Sequence, residues 1–174
     1  MGALNPAAHL VALRIERLAD HPALIPDLVA WFVEAWAPWY GPAGPGDARH
    51  DLEAACRRDG IPLGLVALED GRPVGTATLR AISLETYRHL SPWLAAMLVR
   101  PDRRRRGVGT RLVAAIEDVA RAQGFREVFV ATEAARRIVE GRGWERVERA
   151  PTTCGQIGIY RRALAIPTGP ELRG

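Results

Sequence analysis

Lysine is absent from this chain, and arginine supplies all 24 basic residues. The absence excludes every motif that requires a lysine, including the Gly-Lys pair of a Walker phosphate-binding loop. Cysteine is scarce as well, since only Cys56 and Cys154 are present, without the paired spacing of a zinc site. We therefore expect no metal site and no disulfide framework, and we interpret both residues as free thiols in a reducing compartment.

Long apolar runs are also missing from the sequence. No stretch approaches the roughly 20 apolar residues that a membrane helix requires, and Met1 to His9 lacks the basic and apolar regions of a signal peptide. We therefore expect a cytoplasmic protein with no membrane partner.

The length and composition predict one globular domain. The chain has 174 residues, of which 48% are hydrophobic and 25% are charged, and these values suit a single packed core. We expect a loose N-terminus over residues 1–9, one domain over 10–165 and a C-terminal tail over 166–174. The net charge of +4 admits anionic ligands without choosing among them.

Hydrophobic periodicity predicts an alternation of strands and helices. Pro62 to Glu69 and Arg72 to Ile82 are typical of a hairpin closed by Asp70-Gly71, with a bulge or close backbone contact at Gly75. The nearly continuous apolar run Trp93 to Val99 predicts a central strand covered on both faces. The other predicted elements are strands over Leu10 to Leu18, Phe125 to Ala131, Trp144 to Arg149 and Gly155 to Leu164, and helices from about Asp20 to Tyr40, from Asp47 to about Arg58, after the glycine loop to Gly124, and over Glu133 to Glu140.

The helix that ends at Gly124 has the strongest amphipathic pattern. The pattern places apolar side chains inward and charged side chains outward. The inward set is Val108, Leu112, Ala115, Ile116 and Val119, and the outward set is Arg111, Glu117, Asp118 and Arg121.

An aromatic cluster lies near the end of the first predicted helix. Core packing accounts for most of these rings, and Trp39 or Tyr40 is a candidate to line a ligand pocket, because pockets have mainly apolar and aromatic walls. The cluster consists of Trp31, Phe32, Trp36, Trp39 and Tyr40.

The stretch Arg103 to Thr110 links the predicted strand Trp93 to Val99 to the helix that follows. The first N–H groups of a helix lack intrahelical partners and the helix dipole is positive there, so this position suits a phosphate. Gly107 and Gly109 would allow a close backbone approach and unusual dihedrals. Two interpretations stay open at this point, an anion-binding loop and a solvated arginine run. The three-glycine dinucleotide fingerprint is incomplete, because position 112 is Leu112.

Two motifs, together with the order of elements, carry a family resemblance. Leu98-Val99-Arg100-Pro101-Asp102 precedes Arg104-Arg105-Arg106-Gly107-Val108-Gly109, and Glu140-Gly141-Arg142-Gly143-Trp144 follows the last predicted helix. The first resembles the Gln/Arg-x-x-Gly-x-Gly/Ala loop, and the second the Tyr-Glu-x-x-Gly-Phe/Trp segment, of the GNAT (general control-related N-acetyltransferase) superfamily. The resemblance implies an α+β fold, with a mixed, mostly antiparallel central sheet of about seven strands flanked by about four helices.

The same resemblance implies acetyl-coenzyme A (acetyl-CoA) as the acetyl donor, in the splay between the fourth and fifth strands. Its pyrophosphate would bind the loop amides, with Arg104 at the Gln/Arg position, and its pantetheine arm would pair with the fourth strand. The implied residues are Met97, Leu98 and Val99 on the strand, and Arg104, Arg105, Arg106, Gly107, Val108, Gly109 and Thr110 on the loop. Arg105 stands where relatives often have glycine.

Acyl transfer to an amine needs a group that removes a proton, a site for the oxyanion and a leaving thiolate. By resemblance, the amide of Leu98 is the oxyanion donor. The strand Trp93 to Val99 carries no carboxylate, so Glu85, acting through water, is the candidate base. Val139 replaces the tyrosine that serves relatives as general acid. Either Tyr160 or Tyr87 supplies that proton, or none is needed because a thiol of pKa near 8.5 leaves readily, or catalysis is impaired; we favour the absence of an acid.

We expect an N-acetyltransferase that moves an acetyl group from acetyl-CoA to a primary amine of an unidentified small molecule or peptide, without a covalent enzyme intermediate. The alternative is an acyl-CoA-binding protein with little or no activity, as Val139 and the missing base suggest. Nucleic-acid binding through Arg103 to Arg106 is disfavoured, because the footprint is small and no aromatic platform surrounds it. The family is compatible with a homodimer.

Overall fold

A seven-stranded sheet organises the residues that the computed structural model describes, 12–152 and 155–165. The strands lie in the order β1-β2-β3-β4-β5-β7-β6. They are β1 Arg14–Arg17, β2 Leu63–Glu69, β3 Arg72–Arg80, β4 Trp93–Val99, β5 Glu127–Thr132, β6 Glu145–Thr152 and β7 Gly155–Ala163. The helices are α1 Ile25–Ala35, α2 Ala37–Tyr40, α3 Ala48–Ala55, α4 Val108–Ala122 and α5 Arg136–Gly141.

All neighbouring strands pair antiparallel except β4 and β5, which are parallel. The expected mixed, mostly antiparallel sheet is therefore confirmed. A parallel pair needs a crossover connection, and α4 supplies it between β4 and β5.

The β2–β3 hairpin has the turn that its sequence predicts. Asp70 and Gly71 both have positive φ, 49° and 73°, as a two-residue hairpin turn requires. The register shifts by one residue after Ala67, which pairs with Gly75. A Cβ atom at Gly75 would lie 3.0 Å from the carbonyl oxygen of Leu98 on β4, so the predicted close backbone contact is present.

Helices cover both faces of the sheet. On one face α4 places Val108, Leu112 and Ile116 against the strands, and all three are fully buried. On the other face Leu28 of α1 and Leu52 of α3 form a second buried cluster. The sheet is thus the middle of three layers.

Several boundaries differ from the predicted ones. The first predicted helix starts with 3-10 turns at Leu18–Asp20 and Pro22–Leu24 before α1 begins, because prolines fit only in a first turn. Asp47 caps α3 as expected, accepting a hydrogen bond from the His50 amide at 2.9 Å. The N-terminal segment 1–9, the start of the first predicted strand and the tail 166–174 lie outside the described residues.

Two sequence-based expectations are wrong. Glu117 does not face outward, because its carboxylate is buried and pairs with Arg142. The strand β4 is not covered along its whole length, since only Trp93 and Leu94 are fully buried and the following residues are half-buried. Hydrophobic periodicity could predict neither the burial of Glu117 nor the partial exposure of β4, because both depend on residues that are distant in the sequence.

Candidate active site

The main cleft lies where β4 and β5 separate. The two strands pair only at Trp93–Phe129 and Leu94–Val130. Ala96 then has a φ of 49°, and the register with β3 shifts at this point, which is the signature of a β-bulge. Beyond the bulge, the edge of β4 that faces β5 has no strand partner among the described residues.

The cleft has a volume of about 1000 Å³ and passes through the sheet. Its walls include Ala95 to Val99 of β4 and Val130 to Thr132 of β5. On the α4 side it reaches Arg104, Arg105, Gly109 and Ile138, and on the α1 side it reaches Trp36, Trp39, Tyr40 and Arg80. Ser83 and Glu133 also line it. Of the predicted cofactor residues, Met97, Leu98, Val99, Arg104, Arg105 and Gly109 thus line one cleft.

The loop before α4 presents a row of free amides. The amides of Arg105 to Thr110 donate to no described acceptor, whereas the Arg111 amide donates to the Gly107 carbonyl at 3.0 Å. Gly107 has a φ of 80° and precedes the first residue of α4. Six consecutive amides without a described acceptor thus lie at the positive end of this helix, an arrangement that favours an anion.

Gly109 serves the loop in a different way from Gly107. Its φ is not positive, so the expectation of an unusual dihedral holds only for Gly107. A Cβ atom at Gly109 would lie 2.9 Å from Cδ1 of Ile138 in α5. The missing side chain therefore allows α4 and α5 to approach each other beside the cleft.

The four arginines of the loop have different environments. Arg103 donates to Glu69 at 2.8 Å and to Asp102 at 2.9 Å, so it braces the loop. Arg104 donates from Nε to the Val99 carbonyl at 3.1 Å. Arg105 and Arg106 form no ion pair with any described residue, and Arg105 lines the cleft with a φ of 59°.

The candidate base Glu85 and the candidate acid Tyr160 do not line the cleft within the described part of the chain. The Glu85 side chain is 74% exposed and forms an ion pair with Arg88. Tyr160 is fully buried and its hydroxyl donates to Glu140 at 3.3 Å. Burial, Glu140 and the nearby charge of Glu133 raise the pKa of Tyr160.

Glu133 is a cleft residue that sequence reasoning missed. It follows the last residue of β5, and among the described residues it is the one carboxylate that lines the cleft. Its Oε1 atom accepts a hydrogen bond from the Gly158 amide at 3.0 Å, which fixes its position. One feature of the sequence could have identified it, because Glu133 directly follows the strand that borders the predicted splay.

Aromatic side chains and one cation form the wall on the α1 side. Tyr40 donates to Asp51 at 2.7 Å, and burial together with Asp51 raises the pKa of Tyr40 well above its usual range. Arg80 lines the cleft together with Tyr40. A smaller cavity of about 220 Å³ opens beside them, with Asp51, His50, Thr78 and Arg80 among its lining residues.

Val139 and Trp144 pack into the core on either side of a turn. Val139 is fully buried. Arg142 and Trp144 both donate to Glu117 of α4, at 2.6 Å and 2.8 Å. This contact gives Trp144 a structural role, since it anchors the chain between α5 and β6 to α4.

Membrane-spanning and metal-binding features are absent from the described residues. None of their helices combines the length and apolar character that crossing a bilayer requires. No three of their histidine, cysteine, aspartate or glutamate side chains come together as metal ligands would. Cys56 is a free thiol, and Cys154 lies outside the described part.

The chain is similar to known acetyltransferases. Over 71 residues it is 41% identical to the amino-acid acetyltransferase of Ectopseudomonas mendocina, a match that spans 40% of this chain and only 16% of that protein. An aminoglycoside 6'-N-acetyltransferase solved with coenzyme A has a TM-score of 0.69 at 15% identity, covering 91% of this chain and 99% of its own. A Salmonella typhimurium protein solved with acetyl-CoA has a TM-score of 0.66 at 20% identity, covering 92% of this chain and 99% of its own.

The two structural likenesses show the fold alone. Membership rests on the profile of the Acetyltransferase (GNAT) family, which matches residues 26–141, more than half of the chain. The matched region contains β2 to β5, the anion loop and α4, and therefore most of the cleft. This chain belongs to the acetyltransferase (GNAT) family.

Proposed function

We propose that this protein transfers an acetyl group from acetyl-CoA to a primary amine by direct attack, without a covalent enzyme intermediate. The observation that carries the proposal is the continuity of one cleft. The open edge of β4 runs along it towards six free amides at the start of α4. A ligand with an extended amide-bearing arm and a pyrophosphate matches both features.

The donor suits the residues on the α4 side. The amides of Arg105 to Thr110 would hold the pyrophosphate, with Arg104 and Arg105 as positive support. Met97, Leu98 and Val99 offer the strand edge to the pantetheine arm. When bound, acetyl-CoA supplies a thioester, and the Leu98 amide beside the bulge is the proposed donor to the developing oxyanion.

Proton removal from the acceptor ammonium is the step that needs a base. Glu133 lines the cleft, and its position is fixed by the Gly158 amide, so it suits a base that contacts the amine directly or through one water. Glu85 remains the second candidate, acting through water from the exposed 3-10 turn Glu85–Tyr87. We favour Glu133 because a base must lie within hydrogen-bond reach of the reacting proton.

A pair of matched variants separates the two carboxylates. We expect Glu133→Gln to lower kcat by about 100-fold, as loss of a general base does. Glu85→Gln should retain kcat. The measurement is thiol release from acetyl-CoA with a saturating amine. A comparable fall in Glu85→Gln alone would return the role to Glu85.

Tyr40 is the one tyrosine among the described residues that lines the cleft, but its hydroxyl already donates to Asp51 and its pKa is raised, so it does not suit the role of the tyrosine that Val139 replaces. Tyr160 remains a proposal as general acid, but its raised pKa makes it a weaker proton donor. We favour departure of the thiolate without an acid, because a thiol of pKa near 8.5 is a good leaving group.

Two assays test the proposal. Acetyl-CoA at a hundredfold excess over Kd should stabilise the protein by about 2.7 kcal/mol, which a thermal shift detects. Release of free thiol from acetyl-CoA across a panel of primary amines then tests transfer. Stabilisation without transfer to any amine would favour the alternative, an acyl-CoA-binding protein with little activity, which the buried Val139 motivates. If millimolar acetyl-CoA does not stabilise the protein, both the acetyltransferase and the acyl-CoA-binding alternative are contradicted.

A further inference from the structure

One ion pair joins the β2–β3 hairpin to the chain just before the row of amides. Arg103 donates from Nε to Oε2 of Glu69, the last residue of β2, at 2.8 Å. The Glu69 side chain is 18% exposed and that of Arg103 is 33% exposed, whereas Arg104, Arg105 and Arg106 are exposed residues. Arg103 is therefore the arginine of this stretch whose guanidinium is engaged by the protein itself.

The pair belongs to a network that fixes the 3-10 turn Pro101–Arg103. Asp102 accepts from Nη1 of Arg103 at 2.9 Å and from Nε of Arg100 at 3.1 Å. The Arg103 amide donates to the Arg100 carbonyl at 2.9 Å, and the Arg100 amide donates to the Val74 carbonyl of β3 at 3.0 Å. The turn is thus tied to β2 by the ion pair and to β3 through the main chain.

The same hairpin contacts the chain on the other side of the amides. A Cβ atom at Gly75 of β3 would lie 3.1 Å from Cδ1 of Leu112 and 3.2 Å from Cγ1 of Val108, so β3 packs directly on the start of α4. Between these two contacts, the amides of residues 105–110 have no acceptor among the described residues. Their direction therefore depends on how the hairpin holds the two flanks.

We propose that Glu69 is a positioning residue for acetyl-CoA, which acts through Arg103 to keep the amides before α4 directed at the pyrophosphate. This inference rests on the proposed acetyl transfer and adds a residue to its donor site. Glu69 is not among the described residues that line the cleft. A loosened turn would populate the binding-competent loop less often, and the apparent affinity falls by that fraction.

Positioning and direct electrostatics predict opposite effects at Glu69. A carboxylate near a site for an anion opposes binding through its charge, so removal of that charge alone would strengthen the binding of acetyl-CoA. If Glu69 instead holds the turn, removal of its charge releases Arg103 and weakens binding. The sign of the change in Kd therefore separates the two roles.

Calorimetric titration of acetyl-CoA into Glu69→Gln measures that sign. We expect Kd to rise roughly three- to tenfold, as for loss of a charge-assisted pair that is only partly buried. The KM for acetyl-CoA should rise by the same factor in the thiol-release assay. The kcat at saturating acetyl-CoA should not change, because no reacting group is touched.

Asp70→Asn provides the matched control. Asp70 is the next residue of the hairpin, is exposed and forms no ion pair with the described residues, and asparagine tolerates its φ of 49°. This variant loses the same charge one residue away. It should leave Kd unchanged or slightly lowered, and a rise equal to that of Glu69→Gln would overturn the proposal.

A double-mutant cycle assigns the effect to the pair. Arg103→Gln should raise Kd, and the double variant with Glu69→Gln should bind no more weakly than Arg103→Gln alone, because the contact is already broken. Arg103→Lys should keep part of the affinity, since lysine retains the charge without the planar fork. Independent, multiplying effects of the two glutamine substitutions would overturn the proposal.

A second variant keeps the test valid if Glu69→Gln does not fold, as melting temperatures would show. Glu69→Asp keeps the charge but shortens the reach to Arg103, so we expect Kd to rise in this variant as well. Electrostatics alone predicts no change. An unchanged Kd in Glu69→Asp would overturn the proposal in that case.

Failure of this inference is distinct from failure of the proposed function. An unchanged or lowered Kd in folded Glu69→Gln would overturn the positioning role while leaving the acetyl-CoA site in place. A fall in kcat with an unchanged KM would overturn it too, because the effect would then lie in the chemical step. Absence of acetyl-CoA binding to the wild-type protein would instead refute the proposed function itself.

Discussion

Arg105 occupies a backbone conformation that favours glycine. Its φ of 59° lies in the left-handed region, where a side chain costs about 1–2 kcal/mol. The amides from Arg105 to Thr110 have no acceptor among the described residues. Arg105 thus combines local strain with a position in the cleft wall.

We expect Arg105→Gly to raise the free energy of unfolding by about 0.5–1 kcal/mol, because relief of strain exceeds the entropic cost of glycine. Acetyl-CoA affinity should fall by no more than about fivefold, since the amide remains and an exposed charge contributes little. Urea unfolding and calorimetry measure the two effects.

The matched control is Arg106→Gly, at a neighbouring exposed position without positive φ. It should not stabilise the protein. A large loss of affinity in Arg105→Gly, beyond tenfold, would show that the side chain rather than the amide binds the phosphate.

For single residues, the sequence predicts backbone conformation better than it predicts which side chains come together. Gly107 was predicted to adopt an unusual dihedral and does so, because glycine in a short loop before a helix restricts the local choices. The sequence did not predict that Glu133 and Arg80 line the cleft, because they lie at the ends of strands that become neighbours of β4 only in the folded sheet. Their chemistry is visible in the sequence, but their proximity to β4 is not.

The elements around the cleft are joined by one buried ion pair. Glu117 of α4 accepts from Arg142 and Trp144, which lie between α5 and β6. Burial opposes ionisation of Glu117, but the hydrogen bonds from Arg142 and Trp144 outweigh it and hold the pKa of this carboxyl below its usual value. The helix α4 is thereby fixed to the segment that follows α5, whose Ile138 lines the cleft.

We expect Glu117→Gln to lower the free energy of unfolding by about 3 kcal/mol at pH 7, because it leaves Arg142 without its counter-charge. A carboxyl whose folded pKa is depressed stabilises the protein above its unfolded pKa of about 4.3, and this contribution disappears as the pH falls through the folded value. The difference between wild type and variant should therefore shrink below about pH 4. Denaturant unfolding at several pH values measures it.

Asp118→Asn provides the control for that change. Its side chain is 75% exposed and pairs with Arg121 on the same helix, so the loss should stay within about 0.5 kcal/mol. Equal losses in the two variants would contradict a structural role for the buried pair.

Element bounds were predictable where patterning was strong. Trp93–Val99 matches the predicted strand at both ends, because apolar runs and turn residues delimit it locally. Its burial was not predictable, since the bulge at Ala96 and the separation from β5 depend on pairing between strands. The outward placement of Glu117 was wrong because the pattern of one helix contains no information about Arg142.

The whole molecule unites these features in a single cleft that passes through the sheet. Its α4 side presents cations and amides without a described acceptor, and its α1 side presents aromatic walls and Arg80. The family resemblance in the sequence predicted the fold. The α1 side carried no motif, so its lining residues are visible only in the structure.

Calorimetric titration of acetyl-CoA into wild type, Gly107→Glu and Gly124→Glu tests whether the loop before α4 binds the pyrophosphate. Gly107 and Gly124 flank α4, have φ values of 80° and 83°, and would each accept a Cβ atom without a neighbour within 4 Å. The two changes therefore impose the same strain and charge at opposite ends of one helix.

We predict that Gly107→Glu abolishes detectable binding, because it adds a carboxylate where the pyrophosphate would bind, while Gly124→Glu retains wild-type affinity. Equal affinities in the two folded variants would contradict the account and remove the loop from the acetyl-CoA site.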